Sequence, residues 1–358
     1  MITVNFTGGA KKWFNQVQII IEKNDLSIQQ LLNHLFEHIL FEGSKHVPEG
    51  KFDQWLEEAG ARNNGSTTED RTNYFEDLPS NALELALFLE SDRMGYLLDV
   101  VTPEHVDGQR NVVKNERRQS YENRPYGVAS LELQKAIYPS PHPYHWPTIG
   151  FHEDLDTATL EDAEAFFRKF YNPSNASLSI AGDFDIEKTK TMVDKYFGSL
   201  PQGPSIPRYG YIDSPLTGQV SLNLYDKVLL PKLILAWPSV ARFHSDDAPL
   251  SMLASVLGSG KVSRLHKALV YEQRIAQSIG VGHGPSEISG EFYLEVTAAS
   301  GHTVREIEDA VYIELEKIRN NPPSLEELER VKNAIELQRI NQMSQIGGFG
   351  GKGYSSSR

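Results

Sequence analysis

The sequence predicts an α+β fold in two domains, and three observations carry that prediction. Strand-like runs are followed by grouped helical patterns rather than alternating with them. The same broad order of elements recurs in each half of the 358 residues, without a convincing repeat in the letters. A Gly/Pro-rich run over 198–207 separates the halves. The expected domains are 1–203 and 204–358, each long enough for a core of its own.

The elements follow in order. Residues 1–6 read as a strand, with no secretory signal before it. A helix is expected over 28–42: Ser27 and Gln30 have the spacing of a capping box, and Gly43 stands where a C′ residue belongs. Within it Leu31, Leu32, Leu35, Phe36, Ile39, Leu40 and Phe41 point nearly all round, which is the pattern of a buried helix. Further helices are expected over 80–98, 103–122 and 159–171. The second of these is capped by Thr102 with Pro103 in its first position. Residues 176–181 alternate as a strand and end in a Gly-Asp turn. Beyond the boundary, strands are expected at 219–225, 233–237, 275–282 and 291–298. Helices are expected at 247–257, 262–273, 303–319 and 324–345.

Composition narrows the function. The 39% hydrophobic content is ordinary, and no apolar run approaches a membrane span. A net charge of −13 argues against a nucleic-acid partner and leans towards peptides carrying basic residues. With no cysteine there is neither a disulfide nor a thiolate ligand, so any metal site here has to use histidine and carboxylate.

The densest chemistry lies in His34-Leu35-Phe36-Glu37-His38. Histidines four apart on a helix share a face, with Cβ atoms about 5–6 Å apart, close enough for both imidazoles to reach one Zn²⁺. Glu37 borders that face, where a carboxylate can take a proton from water at the metal. The alternative is a pair of histidines satisfied by hydrogen bonds inside a core. A catalytic zinc takes three protein ligands, and the best third candidate is Glu116, 78 residues after His38. On its helix Glu116 shares a face with Val112 and Val113 and is expected to point inward among them; a surface glutamate is the alternative. The polar, β-branched, turn-flanked stretch Asn64-Gly65-Ser66-Thr67 reads as an exposed edge strand, either a peptide-pairing edge or simply a hairpin edge.

These stretches together resemble the pitrilysin/insulinase family of zinc peptidases, whose H-x-x-E-H order is the inverzincin signature. The resemblance is closest to its bacterial processing-peptidase-like branch and runs from Asn33 to about Gly203. The matching stretches after the first motif are Asn64 to Tyr74, Glu90-Ser91-Asp92-Arg93-Met94, Asn115-Glu116-Arg117-Arg118-Gln119, His142-Pro143-Tyr144-His145-Trp146 and Ala181-Gly182-Asp183. Weaker similarity continues through Leu257-Gly258-Ser259-Gly260 and Ser263-Arg264-Leu265. The resemblance implies two similar domains, each a mainly antiparallel sheet packed with helices, the second of them inactive. It implies zinc held by His34, His38 and Glu116, Glu37 as general base, and a peptide substrate held at Asn64 to Thr67. A periplasmic or secreted location is also what the family suggests.

The departures from the family shape the remaining expectations. Relatives begin some tens of residues earlier and continue beyond the glycine-rich 347–353, so the chain reads as truncated at both ends. Gln109, seven residues before Glu116, stands where many relatives carry a supporting glutamate, and keeps a hydrogen-bonding side chain there. The arginine and tyrosine that relatives place seven apart in their opposing half are Val270 and Gln277 here. A second peptidase-like subunit, or a missing second half, is the implied partner. The activity expected is zinc-dependent endopeptidase; a non-catalytic partner subunit and an inactive remnant are the alternatives. His142 and His145 sit in a proline-rigid loop and Gly258-Ser259-Gly260 lacks a following Lys-Ser/Thr, so neither reads as a ligand site.

Overall fold

The computed structural model describes residues 3–8, 14–22, 33–214, 216 and 218–344, the first two stretches by their backbone. The chain forms two compact units, Met1–Arg118 with Trp146–Arg208 and Arg339–Arg358, and Gln119–His145 with Tyr209–Gln338. Each is an α+β unit, as expected, and the chain enters the second unit briefly at 119–145 before the Gly/Pro-rich run.

The first unit is built on a five-stranded sheet in the order β1-β5-β2-β4-β3. Its strands are β1 (Thr3–Gly8), β2 (Phe14–Glu22), β3 (Arg62–Thr67), β4 (Arg71–Pro79) and β5 (Ala176–Gly182). Only β1 and β5 run parallel, Thr3 opposite Ser177; the other pairs are antiparallel, so the sheet is mainly antiparallel. β4 is buried along nearly its whole length, while β3, joined to it by a short turn, is the outer strand.

Helix α1 (Asn33–Ile39) buries Leu35, Phe36 and Ile39 almost completely. Phe36 packs among Phe166, Phe167 and Tyr171 at ring-centroid distances of 5.3, 5.4 and 4.7 Å. Burying a side chain of this size contributes about 1.5–3 kcal/mol. The helix ends in a turn at 40–42. Gly43 follows at φ 118°, where an added Cβ would lie 2.9 Å from the Glu49 N and Val47 O atoms. The anticipated cap at Ser27 and Gln30 lies outside the described residues.

Next come α2 (Lys51–Glu58), α3 (Leu83–Tyr96) and α4 (Pro103–Arg117), the last capped by Thr102 and running into a π turn at Arg118–Glu122. α5 (Gly127–Ile137) belongs to the second unit. α6 (His152–Thr157), α7 (Leu160–Phe170) and α8 (Ile186–Phe197) complete the first. The Thr159/Asp162 capping box starts α7, whose buried Phe166, Phe167 and Phe170 meet α1 and the sheet core.

The second unit has a smaller antiparallel sheet, β6-β8-β7, from β6 (Lys232–Ser239), β7 (Ala276–Pro285) and β8 (Gly290–Ala298). β8 alternates buried and half-buried residues along its length, as a strand with one face on a core should. Leu294 and Val296 pack with Leu257 of α9 (Asp247–Gly258), Leu269, and Ile307 and Val311 of α10 (Val304–Asn320). α11 (Leu325–Ser344) follows, and the 262–273 helix is mostly a π turn over His266–Glu272. The strand anticipated at 219–225 does not form. Val220, Leu222 and Leu224 are about half exposed and Tyr225 is 97% exposed. Alternation marks a segment able to bury one face, but a strand also needs a neighbour for its main chain, and among the described residues none pairs with this one. No described helix is long and apolar enough to cross a membrane.

Candidate metal centre

α1 and α4 lie against each other and bring three donor side chains together. The four-residue spacing stacks His34 on His38, ring centroids 4.8 Å apart and edge to face. Their Nε2 atoms are 3.3 Å apart. Glu116 Oε2 lies 3.0 Å from His34 Nε2 and 3.3 Å from His38 Nε2. An ion with tetrahedral bonds of about 2.0–2.1 Å separates its ligands by about 3.4 Å, so this triangle fits one ion the size of Zn²⁺. Two nitrogens and a carboxylate oxygen are also a donor set that catalytic zinc sites use.

Electrostatics make the same cluster avid for a positive charge. Burial works against a charged His34, but its hydrogen bonds to Glu116 and Glu37 outweigh this and push it up to about 9. Glu116 is held well below the usual carboxylate range by hydrogen bonds from His34 and His38. The raised His34 and the lowered Glu116 both mark a point that favours positive charge, where a cation fits.

Glu116 does not point inward among valines, as its sequence context implied. Its side chain is 41% exposed and Val112 is 45% exposed. At 100° per residue the buried line of α4 is Val106, Val113 and Arg117, and Glu116 falls on the flank beside it. That flank also carries His105 and Gln109. Gln109 donates to Glu42 at the end of α1, not to a histidine of the cluster. Glu42, Glu49 and His105 form a second, more exposed gathering of donors that the sequence did not reveal. His105 Nδ1 there already accepts the Thr102 N–H.

Glu37 is buried between α1 and β3. Its Oε2 accepts a hydrogen bond from the Thr67 hydroxyl and lies 3.7 Å from His34 Nδ1. Gly65, two residues before Thr67, faces the same way. A Cβ built there would sit 2.6 Å from Glu37 Oε1, so only glycine leaves the carboxylate where it is.

Among the described residues no strand pairs with the outer side of β3. The Thr68 N–H donates to the Arg71 carbonyl at 2.8 Å. Antiparallel alternation from that bond turns the main-chain groups of Asn63, Gly65 and Thr67 away from β4. Asn64 is exposed, and its Oδ1 accepts the Gly65 N–H at 2.8 Å; Ser66 and Thr67 are half-buried.

A second polar group supports the turn after α1. Asp92 accepts from Ser44 Oγ at 2.5 Å and from the His46 N–H at 3.1 Å, pinning 43–47. Arg93 donates through Nε to Glu90 at 2.8 Å and lies over the rings of Tyr74 and Phe52. In the second unit, His142 stacks on Tyr138 and accepts the Tyr144 N–H, making it a structural residue of its loop. Val270 packs on the apolar core and Gln277 is exposed on β7.

Comparison with known proteins identifies the family and the fold. Residues 30–141 match the model of the insulinase family, peptidase family M16, and residues 157–335 match that of the peptidase M16 inactive domain. The zinc protease PqqE of Helicobacter pylori is 29% identical over 338 residues, covering 91% of this chain and 74% of that protein. The probable mitochondrial-processing peptidase subunit beta of Schizosaccharomyces pombe is 24% identical over 221 residues, covering 62% of this chain and 44% of that one. The crystal structure of a protease from Helicobacter pylori superposes with a TM-score of 0.87 at 25% identity, covering 95% of this chain and 82% of that one. With both halves matched and the fold shared, this chain belongs to peptidase family M16, the pitrilysin/insulinase family of zinc proteases.

Proposed function

We propose that the chain is a zinc-dependent endopeptidase that cleaves peptides or unfolded segments. The observation that carries this reading is the triangle of His34, His38 and Glu116 donor atoms, with the Glu37 carboxylate beside it. His34, His38 and Glu116 would hold the metal. When bound, zinc supplies a Lewis acid that polarises the scissile carbonyl and makes water acidic near neutral pH.

The chain's own residues supply the rest. An extended peptide adds to the outer side of β3, paired through the main-chain groups of Asn63 and Thr67 and the Gly65 carbonyl, with Asn64 and Ser66 flanking it. Main-chain pairing gives affinity with little sequence preference, which suits unfolded substrates. Glu37 accepts the proton of the attacking water. It then returns that proton to the departing amine as the C–N bond breaks, so no charge is left on the base after a turnover. Gln109, through Glu42, fixes the end of α1 against α4 rather than a ligand directly.

Turnover calls for a second peptidase-like partner. The second unit presents valine and glutamine where a cationic and a phenolic contact to the developing oxyanion belong, and losing one such donor typically costs about 10²–10³ in kcat. The isolated chain is therefore a slow peptidase that a partner carrying both groups accelerates. A Glu37→Gln variant tests the reading: it retains zinc and loses hydrolysis of an unstructured peptide. Loss of zinc as well would make Glu37 a ligand or a support and contradict the mechanism.

A further inference from the structure

The Thr67 hydroxyl does more than mark an edge strand. It is the last member of a file of hydroxyls that starts inside the first unit. Thr72 Oγ1 is 3.1 Å from Thr67 Oγ1. Thr67 then meets Glu37 Oε2. Thr72 is fully buried.

The direction of the file follows from its end. An ionised carboxylate only accepts, and a hydroxyl has one proton to give. Thr67 gives its proton to Glu37, so its oxygen accepts from Thr72. In a low-dielectric interior each bond polarises the next. On the other side of the carboxylate, Gly65 leaves space that Oε1 uses.

We propose that Thr67 is a positioning residue for Glu37: its hydroxyl, oriented from the interior by Thr72, engages Oε2 and leaves Oε1 to act as the base. This rests on the peptidase reading above. It adds that a threonine on the substrate-pairing strand sets the geometry of proton transfer, so that strand and base are one unit.

The test compares Thr67→Val, which keeps the shape and removes the donor, with Thr67→Ser, which keeps the donor. Both are measured beside Glu37→Gln. With zinc bound, Thr67→Val should lower kcat about 10²-fold, with KM and zinc per chain unchanged, and Thr67→Ser should return kcat to within a few-fold. A second readout needs no turnover. In the chain without added metal, the ¹³C carboxylate resonance of Glu37, assigned by its loss in Glu37→Gln, should shift in Thr67→Val and return in Thr67→Ser. An inactive Glu37→Gln alongside a Thr67→Val variant with normal kcat and an unmoved resonance overturns this inference alone. An active Glu37→Gln overturns the peptidase mechanism instead.

Discussion

The two units share an α+β plan but not the same interior. The first buries Glu37, Glu76, Glu90, Asp92 and Arg93 beneath its sheet and helices. The second is held by Leu257, Leu269, Leu294, Val296, Ile307 and Val311, with Glu314 its buried acid among the described residues. Buried charge is costly unless paired, and it fixes geometry when it is. The unit that tolerates it is the one that has to hold a carboxylate and two imidazoles in place. The other needs only to be a stable shape, and its apolar core provides that.

Two arginine–glutamate pairs sharpen the contrast. Arg93 and Glu90 are almost wholly buried, whereas Arg264 and Glu327 keep about a quarter of their side-chain surface exposed, at 22% and 27%. Arg93→Met strands Glu90, and Glu76 3.7 Å away, without a cation. It should cost about 3–5 kcal/mol of stability in denaturant unfolding, with hydrogen exchange speeding first in β4 and α3. Near-normal stability would show that the first unit's interior does not depend on its charges.

Gly65→Ala comes next in size. The new Cβ displaces the Glu37 carboxylate rather than the backbone, so kcat should fall about 10²-fold while the melting temperature hardly moves. A parallel loss of stability would mean that Gly65 serves the fold and not the base.

Arg264→Met should be the mildest, costing about 1 kcal/mol or less because the pair is partly solvated. The pH dependences of the two clusters have opposite signs. The Arg264 guanidinium holds Glu327 down to about 2, against 4.5 unfolded, so its contribution is complete above 4.5 and disappears as pH falls towards 2. Burial, then the neighbouring Glu90, raises Glu76 well above 4.5, so its contribution is present below 4.5 and is lost as pH rises through the folded value. Hydrogen exchange of β4 and of α11 across pH 3–8 should therefore change in opposite directions. A common trend would remove the distinction drawn between the units.

How far the sequence reached depends on range. His34, Glu37 and His38 are legible because helical spacing alone puts them side by side, and α1 buries Leu35, Phe36 and Ile39 of the apolar pattern. The strand at 219–225 was misread because alternation says nothing about whether a neighbouring strand exists. Glu116 was legible as a residue but not in its surroundings: Val112, four positions before it, is exposed on the same flank. The hydroxyl file runs from Thr72 through Thr67 to Glu37, 30 residues before Thr67, and no local pattern encodes it. Gly65 reads as one residue of an exposed edge strand, and its real constraint, the Glu37 carboxylate, comes from another element.

The central claim is that His34, His38 and Glu116 form one zinc site. Its most direct test is the zinc content of the purified chain beside that of His38→Ala, with folding of both verified by circular dichroism. The account predicts about one zinc per chain for the first, and its near-complete loss in the second without loss of fold. A His38→Ala chain that still carries a full equivalent of zinc would contradict it.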